Sequence, residues 1–431
     1  MSLLEWWETA GIKKDTAKLI GAAEAKAAAQ HQDVEAIALH NQAKVLKAFQ
    51  LEQISEDCFH SSEGYGYHDP GRDKLEALFA RIFKGEDAIV RPHFVSGTHT
   101  LFTCLRGLLR PGERIISLTG QPYDTLSRAI MGPRVNSEAG DVGYTSSLQD
   151  WNIPFMHVET EAVPLLEHKG ELAALLQAPT KVVFIQRSRG YDPSRRSLTT
   201  ADVSNLAETI RRYNKDIIIL VDNCYGEFVE KGEPLERGAD LVAGSLIKNP
   251  GGGLAPAGGY IAGSREHISR ISEAYSAPGL GKELGAFIQS KRLYFQGLFM
   301  APQLVAESLK GVITMAAALE EVGYRVSPQY NDKRGDLVQS VHLNSKSELE
   351  VFCRSVQQAS PVNSHYQPVP GATAGYADPL YMAAGTFVQG SSSEFSADAP
   401  MREPYTVYIQ GGLNYNHVIL GLASLLDKIL K

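Results

Sequence analysis

Between Lys13 and Ile54 the chain is rich in Ala, Leu, Glu, Lys and Gln, carries no proline and has a single glycine, Gly21. Apolar residues return there at helical spacing, as at Val34, Ile37, Ala38, Val45, Leu46 and Phe49, which predicts one long or two shorter amphipathic helices. After the turn-rich segment SSEGYGYHDPGRD the period changes. Short apolar runs now alternate with helical stretches. AIVRPHFV, RIISL, IPFMHV, KVVFIQ, IIILVD, DLVAGS and GGYIAG read as strands, and LFTCLRGLLRPG, LLEHKGELAALLQ and VSNLAETIRRYNK read as helices. Several of these strands are apolar on both faces, which suits a sheet covered by helices on each side. The alternation predicts an α/β fold with a mostly parallel, seven-stranded sheet. From Pro302 onward the pattern shifts again. LVAESLKGVITMAAALEEVG reads as a long helix leading into a smaller α+β domain. That domain has strands LVQSVHL and YTVYIQGG, helices SELEVFCRSVQQ and HVILGLASLLDKIL, and a Gly/Ser-rich loop around Gly390 to Ser393. The expected organisation is a helical arm over 1–60, a large domain over 61–301, and a linking helix with the small domain over 302–431.

Composition narrows the class. At 431 residues, 43% hydrophobic and 21% charged, the chain is built like a soluble globular protein and can bury a large core without disulfides or structural metal. A disordered tail, a collagen-like rod and a disulfide scaffold are excluded. Lys and Arg number 42 against 49 Asp and Glu, a net charge of −7, so nothing pulls the chain toward nucleic acid or an anionic membrane. MSLLEWWETAGIKKD lacks a basic segment followed by an apolar one, and no run of about 18 apolar residues occurs. Cys58, Cys104, Cys224 and Cys353 are far apart and form no CxxC pair, so buried thiols and a cytoplasmic location are expected. The histidines show no metal-ligand spacing, and no metal site is expected.

Two segments carry chemistry. In IIILVDNCYGEF an apolar strand ends in Asp222. In DLVAGSLIKNPGGGLAPAGGYIAG a strand ends just before Lys248, and a glycine-rich turn follows. The span between them holds one crossover, so both residues are expected near the carboxyl edge of neighbouring strands, where open α/β sheets bind ligands. A lysine beside an apolar strand is costly unless it loses its charge or gains a partner. Bonding to pyridoxal phosphate removes that cost, and the cofactor also needs a carboxylate to keep its ring nitrogen protonated. Lys248 and Asp222 suit those two tasks. The plainer alternative is a surface lysine and a helix-capping aspartate, against which the strand context and the glycines weigh. The cofactor carries a phosphate as well. In IVRPHFVSGTHTLFTCLRGLL, Ser96, Gly97 and Thr98 fall at a helix N-terminus, where free N–H groups and the dipole favour an anion. Ser245, shortly before Lys248, adds a candidate hydroxyl.

VDNCYGEF followed by GSLIKNPGGG, with SGTHT and PYDTL upstream, resembles the fold-type-I pyridoxal phosphate enzymes of transsulfuration, the cystathionine lyases and synthases and the methionine γ-lyases. The closest likeness is to the aluminium-resistance-associated, cystathionine β-lyase-like branch. The resemblance runs from Ser61 to Asn416. It implies a transferase-like fold of type I. It implies that Tyr123 stacks on the cofactor ring and assists proton transfer, that Gly97, Thr98 and Ser245 meet the phosphate, and that Tyr65 is lent to the phosphate by a neighbouring subunit. Arg402, in MREPYTVYIQGGL, matches the arginine that grips the substrate carboxylate. The resemblance further implies a homodimer or homotetramer with its active site at the subunit interface. Two departures stand out. Ile247 precedes the lysine where better-known members carry a hydroxyl, and Gln186, Arg187 and Arg189 make the following loop more basic.

The expected function is a pyridoxal phosphate-dependent lyase that performs β- or γ-elimination on an amino acid, a sulfur-containing one by the resemblance. Lys248 serves as general base and Asp222 as the partner of the ring. Two alternatives stay open at this level. One is another reaction of the same cofactor, an aminotransferase or γ-replacing synthase; the other is a non-catalytic binding protein of the same fold. No GxGxxG opens a helix after a strand, and neither a Walker A loop nor a GxSxG elbow is present.

Overall fold

The computed structural model describes Trp7, Thr9 and residues 11–132, 147–158, 169–177, 179–373 and 375–430. All seven expected strands of the large sheet form. They are β1 Asp87–Arg91, β2 Arg114–Ser117, β3 Phe155–His157, β4 Thr180–Gln186, β5 Ile218–Asp222, β6 Leu241–Ser245 and β7 Gly259–Gly263, in the order β1-β7-β6-β5-β4-β2-β3. From β6 to β3 every pairing is parallel, and β7 runs antiparallel to both its neighbours, β6 and β1.

The two-residue period of the strands sorts their side chains into two cores. Ile218 and Leu220 join Val182, Phe184 and Ile115 on one face, under the helices Gly97–Leu108, Asp124–Met131 and Arg265–Tyr275. Ile219 and Val221 join Val183, Ile185 and Ile116 on the other, under Pro70–Phe83 and Thr200–Tyr213. Burying each such side chain contributes roughly 1.5–3 kcal/mol. That explains why these strands read as unbroken apolar runs. Of the expected helix over LLEHKGELAALLQ, residues 165–168 lie outside the described residues; the rest forms Lys169–Leu175.

The smaller sheet has five strands, β8 Arg325–Ser327, β9 Gln339–His342, β10 Leu380–Ala384, β11 Ser396–Pro400 and β12 Thr406–Gln410, in the order β10-β11-β12-β9-β8, all antiparallel. The sequence pattern names only β9 and β12. β8 has three residues, and β11 reads Ser-Ala-Asp-Ala-Pro, without the branched and aromatic residues that mark strands, although it is buried throughout.

The N-terminal segment is one helix, Lys14–Leu51, lying along a second long helix, Arg292–Glu321. The latter begins before Pro302 and carries that proline within it. Ala17, Ile20 and Ala23 belong to the core around the small sheet, whereas Ala27, Val34, Ala38, Val45 and Ala48 belong to that of the large sheet. Small residues along this stripe let the two helix backbones approach. Polar ties add register: Lys310 reaches Glu35 at 2.5 Å, and the Thr314 hydroxyl meets His31 Nε2 at 3.0 Å.

Candidate active site

Gln186, Asp222 and Ser245 are the last residues of three adjacent parallel strands, β4, β5 and β6, and Gln186 is in register with Asp222. The chain leaves β6 and turns at once through Lys248 into the glycine-rich segment. Glycine is required there by sterics. A Cβ on Gly251 would overlap the Leu246 carbonyl, and one on Gly252, whose φ is +55°, would overlap the Gly297 carbonyl of the long helix. The turn is thus clamped between β6 and the Arg292–Glu321 helix, and Lys248 is held over the strand ends.

Lys248 and Asp222 line one cleft, together with Tyr123, Gln186, Cys224 and Tyr225, that encloses about 630 Å³ with its mouth included. Lys248 Nζ sits 3.9 Å from the centroid of the Tyr225 ring. Burial disfavours the Lys248 ammonium, but Cys224, Tyr225, Asp222 and Tyr123 around it outweigh that and hold its proton. Asp222 is 4% exposed, and its Oδ1 accepts the Cys224 N–H at 3.1 Å. Burial pushes its carboxyl upward, opposed by the Lys248 charge and by Cys224. Tyr225 itself has φ +71°, uncommon for an aromatic residue and a mark of backbone strain at a functional turn.

The anion-favouring turn adjoins this cleft. Ser96 caps the Gly97–Leu108 helix, its Oγ accepting the His99 N–H at 3.1 Å. A Cβ built on Gly97 would meet Cys224 Sγ and Ser245 Cβ, each at 3.6 Å, so the bare glycine backbone faces the ends of β5 and β6. The Thr98 hydroxyl lies 3.1 Å from the Tyr123 hydroxyl and 2.8 Å from that of Thr125. Tyr123 donates its backbone N–H to Gln186 Oε1 at 3.0 Å, which fixes the loop carrying its ring. Burial pushes the Tyr123 phenol well up, so at neutral pH it is an O–H donor. Ser96, Gly97, Thr98, Tyr123, Asp222, Ser245 and Lys248, spread over a third of the chain, are therefore brought into one neighbourhood.

Two expected residues lie elsewhere. Tyr65 is 70% exposed on the surface. Arg402, with its side chain 46% exposed, donates to Asp378 Oδ2 at 2.7 Å and to the Tyr191 carbonyl at 3.2 Å. It lines two shallow cavities that share Tyr191, Tyr376 or Tyr408 with the cleft, but it does not line the cleft itself. Arg187 and Arg189 are buried structural groups: Arg187 binds Asn223 and Glu230, and Arg189 binds Ser340 and Ser327. Sequence reasoning missed Tyr191, Tyr225, Tyr376, Tyr408 and Gln410, which all line the cleft. Tyr225 stood inside the aspartate motif. Tyr408 and Gln410, two apart on β12, share a face by strand period, and that was their signal. Tyr376 had none.

Pyridoxal phosphate fits this set. A buried carboxylate and an amine face the same cleft, and beside them a side-chain-free, capped helix N-terminus offers backbone N–H groups. Among the described residues no three His, Cys, Asp or Glu side chains are placed to hold a metal ion, and no helix is long and apolar enough to cross a membrane. The four cysteines are buried and unpaired.

The sequence profile of the methionine γ-lyase family matches residues 16–430. A Bacillus subtilis protein is 43% identical over 408 residues, 95% of each chain. The crystal structure of a carbon–sulfur lyase involved in aluminium resistance, from Clostridium novyi NT, is similar with a TM-score of 0.89 and 42% identity, covering 99% of this chain and 98% of that one. A pyridoxal-5'-phosphate dependent protein from Escherichia coli shares the fold, with a TM-score of 0.59 and 17% identity over 91% of this chain and 96% of that one.

Proposed function

The chain belongs to the methionine γ-lyase family, and on that premise we propose that it is a pyridoxal phosphate-dependent carbon–sulfur lyase, eliminating a β- or γ-substituent from an amino acid. The observation that carries this reading is the pairing of Lys248 with Asp222 across one cleft at the carboxyl ends of β5 and β6. When bound, pyridoxal phosphate draws electrons from the amino acid, acidifying its Cα–H and letting a substituent further along depart. Lys248 would hold the cofactor through Nζ, and Asp222 would keep the ring nitrogen protonated. Ser96, the Gly97 and Thr98 N–H groups and Ser245 would take the phosphate, and the Tyr123 ring would support the cofactor ring. With its Nζ free, Lys248 would be the base that takes the Cα proton of the substrate. The Tyr123 hydroxyl, a donor held by Thr98, supplies a proton toward the leaving group.

The test is product analysis. Sulfur amino acids added to the purified, cofactor-loaded protein are expected to yield a keto acid, ammonia and a thiol together. Transfer of the amine to an added keto acid without thiol release would make it an aminotransferase. A new thioether would make it a synthase, and a spectral change with no product would make it a binding protein.

The proposal extends to a homodimer, or a tetramer built from such dimers. Tyr65, Val95 and Ile288 are strongly exposed; Val95 directly precedes Ser96, and the segments of Tyr65 and Ile288 touch, since Gly66 packs on Ala286 and Gly285 N–H donates to the Tyr65 carbonyl at 3.0 Å. A second copy covering this apolar patch places its Tyr65 at the phosphate site. Lys248→Ala and Tyr65→Ala proteins, each inactive alone, should then recover about a quarter of wild-type activity when refolded together at equal amounts, since half the dimers carry one intact site of two. No recovery would place Tyr65 outside the partner's site. Unpaired cysteines throughout support a reducing, cytoplasmic setting.

A further inference from the structure

Beyond Lys248 and Asp222, aromatic rings make up much of the cleft wall, beside Gln186, Ser188, Cys224, Val338 and Gln410. Tyr191, Tyr225, Tyr376 and Tyr408 line it, and Tyr191 packs on Tyr376 and Tyr408 with ring centroids 5.7 and 5.3 Å apart. One carboxylate stands behind this wall. Asp398, on β11 opposite Tyr408 of β12, is 7% exposed, and its Oδ2 accepts the Tyr191 O–H at 2.9 Å and the Gln410 Nε2–H at 3.0 Å. Both bonds fall on the same oxygen; none from a described residue reaches Oδ1. Tying two neutral donors needs only a neutral acceptor, so the charge of Asp398 calls for a further reason.

The surroundings supply one. Burial pushes the Asp398 carboxyl up, and Tyr191, Gln410 and the Lys248 charge pull it part of the way back, to about 6. Among the described residues Lys248 is the single cation that acts on it, and in the working enzyme that nitrogen serves the cofactor. No guanidinium, and no ammonium other than Lys248, lines the cleft among the described residues. The wall also accepts a cation in practice, since the Lys248 ammonium lies 3.9 Å from the Tyr225 ring centroid.

We propose that Asp398 and the rings of Tyr191, Tyr225, Tyr376 and Tyr408 receive a positive charge on the substrate's side chain, so that the preferred substrate is an amino acid with a second cation, an ammonium or a sulfonium, at its sulfur end. The inference rests on the amino-acid lyase reading above and names its substrate class. A buried carboxylate supplies the charge, and the tyrosine faces exclude water around it, the arrangement by which proteins take up alkylated cations. A neutral side chain gains only apolar contact there, and an acidic one meets a like charge.

The experiment titrates the absorption spectrum of the cofactor-loaded protein with three ligands of one shape: S-(2-aminoethyl)cysteine, S-propylcysteine and S-(carboxymethyl)cysteine. The aminoethyl compound is expected to bind at least tenfold more tightly than the propyl compound, and the carboxymethyl compound more weakly than either. Asp398→Asn should erase the preference for the cation and leave propyl binding within about twofold. Tyr376→Leu, at a partly exposed position, should weaken the cation alone and serves if the first variant folds poorly. Methionine against S-methylmethionine tells the cations apart: a gain in that pair too assigns recognition to charge on the rings, and a gain in the ammonium pair alone assigns it to a hydrogen bond on Asp398. Equal binding of aminoethyl and propyl ligands, with thiol still released, overturns this inference and keeps the lyase. No response to any of the ligands overturns both.

Discussion

Replacing Lys248 by alanine is expected to lower turnover by at least about 10⁴-fold, because one nitrogen holds the cofactor and serves as the base, and a positioned base alone contributes roughly 10²–10⁴-fold. The variant should still fold. Lys248 is half-buried at the mouth of the turn, and the steric fit at Gly251 and Gly252 does not involve its side chain. Borohydride reduction of the wild-type protein followed by peptide mapping should place the pyridoxyl group on the LIKNPGGG segment, and Lys248→Ala should yield no labelled peptide. A label on another lysine, or activity in the variant within tenfold of wild type, would remove Lys248 from the chemistry.

Asp222→Asn should cost less than that and cost it differently. The carboxylate is buried and meets its cation across the cleft, so its loss removes one partner of a desolvated charged pair, roughly 2–5 kcal/mol. Turnover should fall by about 30- to 4000-fold at 1.4 kcal/mol per decade. Asparagine keeps an acceptor for the Cys224 N–H, so the loop after β5 should hold its shape and borohydride should still label Lys248. The two variants therefore separate by readout as well as by size: one loses the covalent link, the other keeps it with an impaired ring. Full turnover in Asp222→Asn would make the aspartate a structural cap.

How much of this was legible before the structure follows from what each residue does locally. Six strands of the large sheet are almost wholly buried on both faces and so read as apolar runs, and the half-exposed edge strand β3 was legible from its own apolar residues. Lys248 and Asp222 were legible because an ionisable residue directly after such a run is conspicuous, and Gly97 because a glycine between Ser96 and Thr98 opens a helix. β11 was invisible because its burial comes from its neighbours in the sheet, with small and acidic residues that carry no strand pattern of their own. The tyrosines were missed for a related reason. Tyr191, Tyr225, Tyr376 and Tyr408 come from four separate stretches of chain, and only tertiary packing puts their rings together. Arg402 marks the same limit from the other side. An arginine close before a strand can be read off the sequence, but whether it points into the cleft or toward Asp378 is decided by the path of a loop.

The pairing of the Lys14–Leu51 helix with Arg292–Glu321 has a consequence for the birth of the molecule. Glu35 and its partner Lys310 are separated by 275 positions in the chain. At ribosomal rates of roughly 5–20 residues per second, the first helix leaves the exit tunnel about 14–55 s before the surface that covers it exists. Throughout that interval its apolar stripe, Val34, Ala38, Val45 and Ala48, lacks the long helix against which it packs most extensively. The nascent chain thus presents early the kind of uncovered stripe that holdase chaperones bind, and slowing synthesis downstream of the first helix lengthens its exposure.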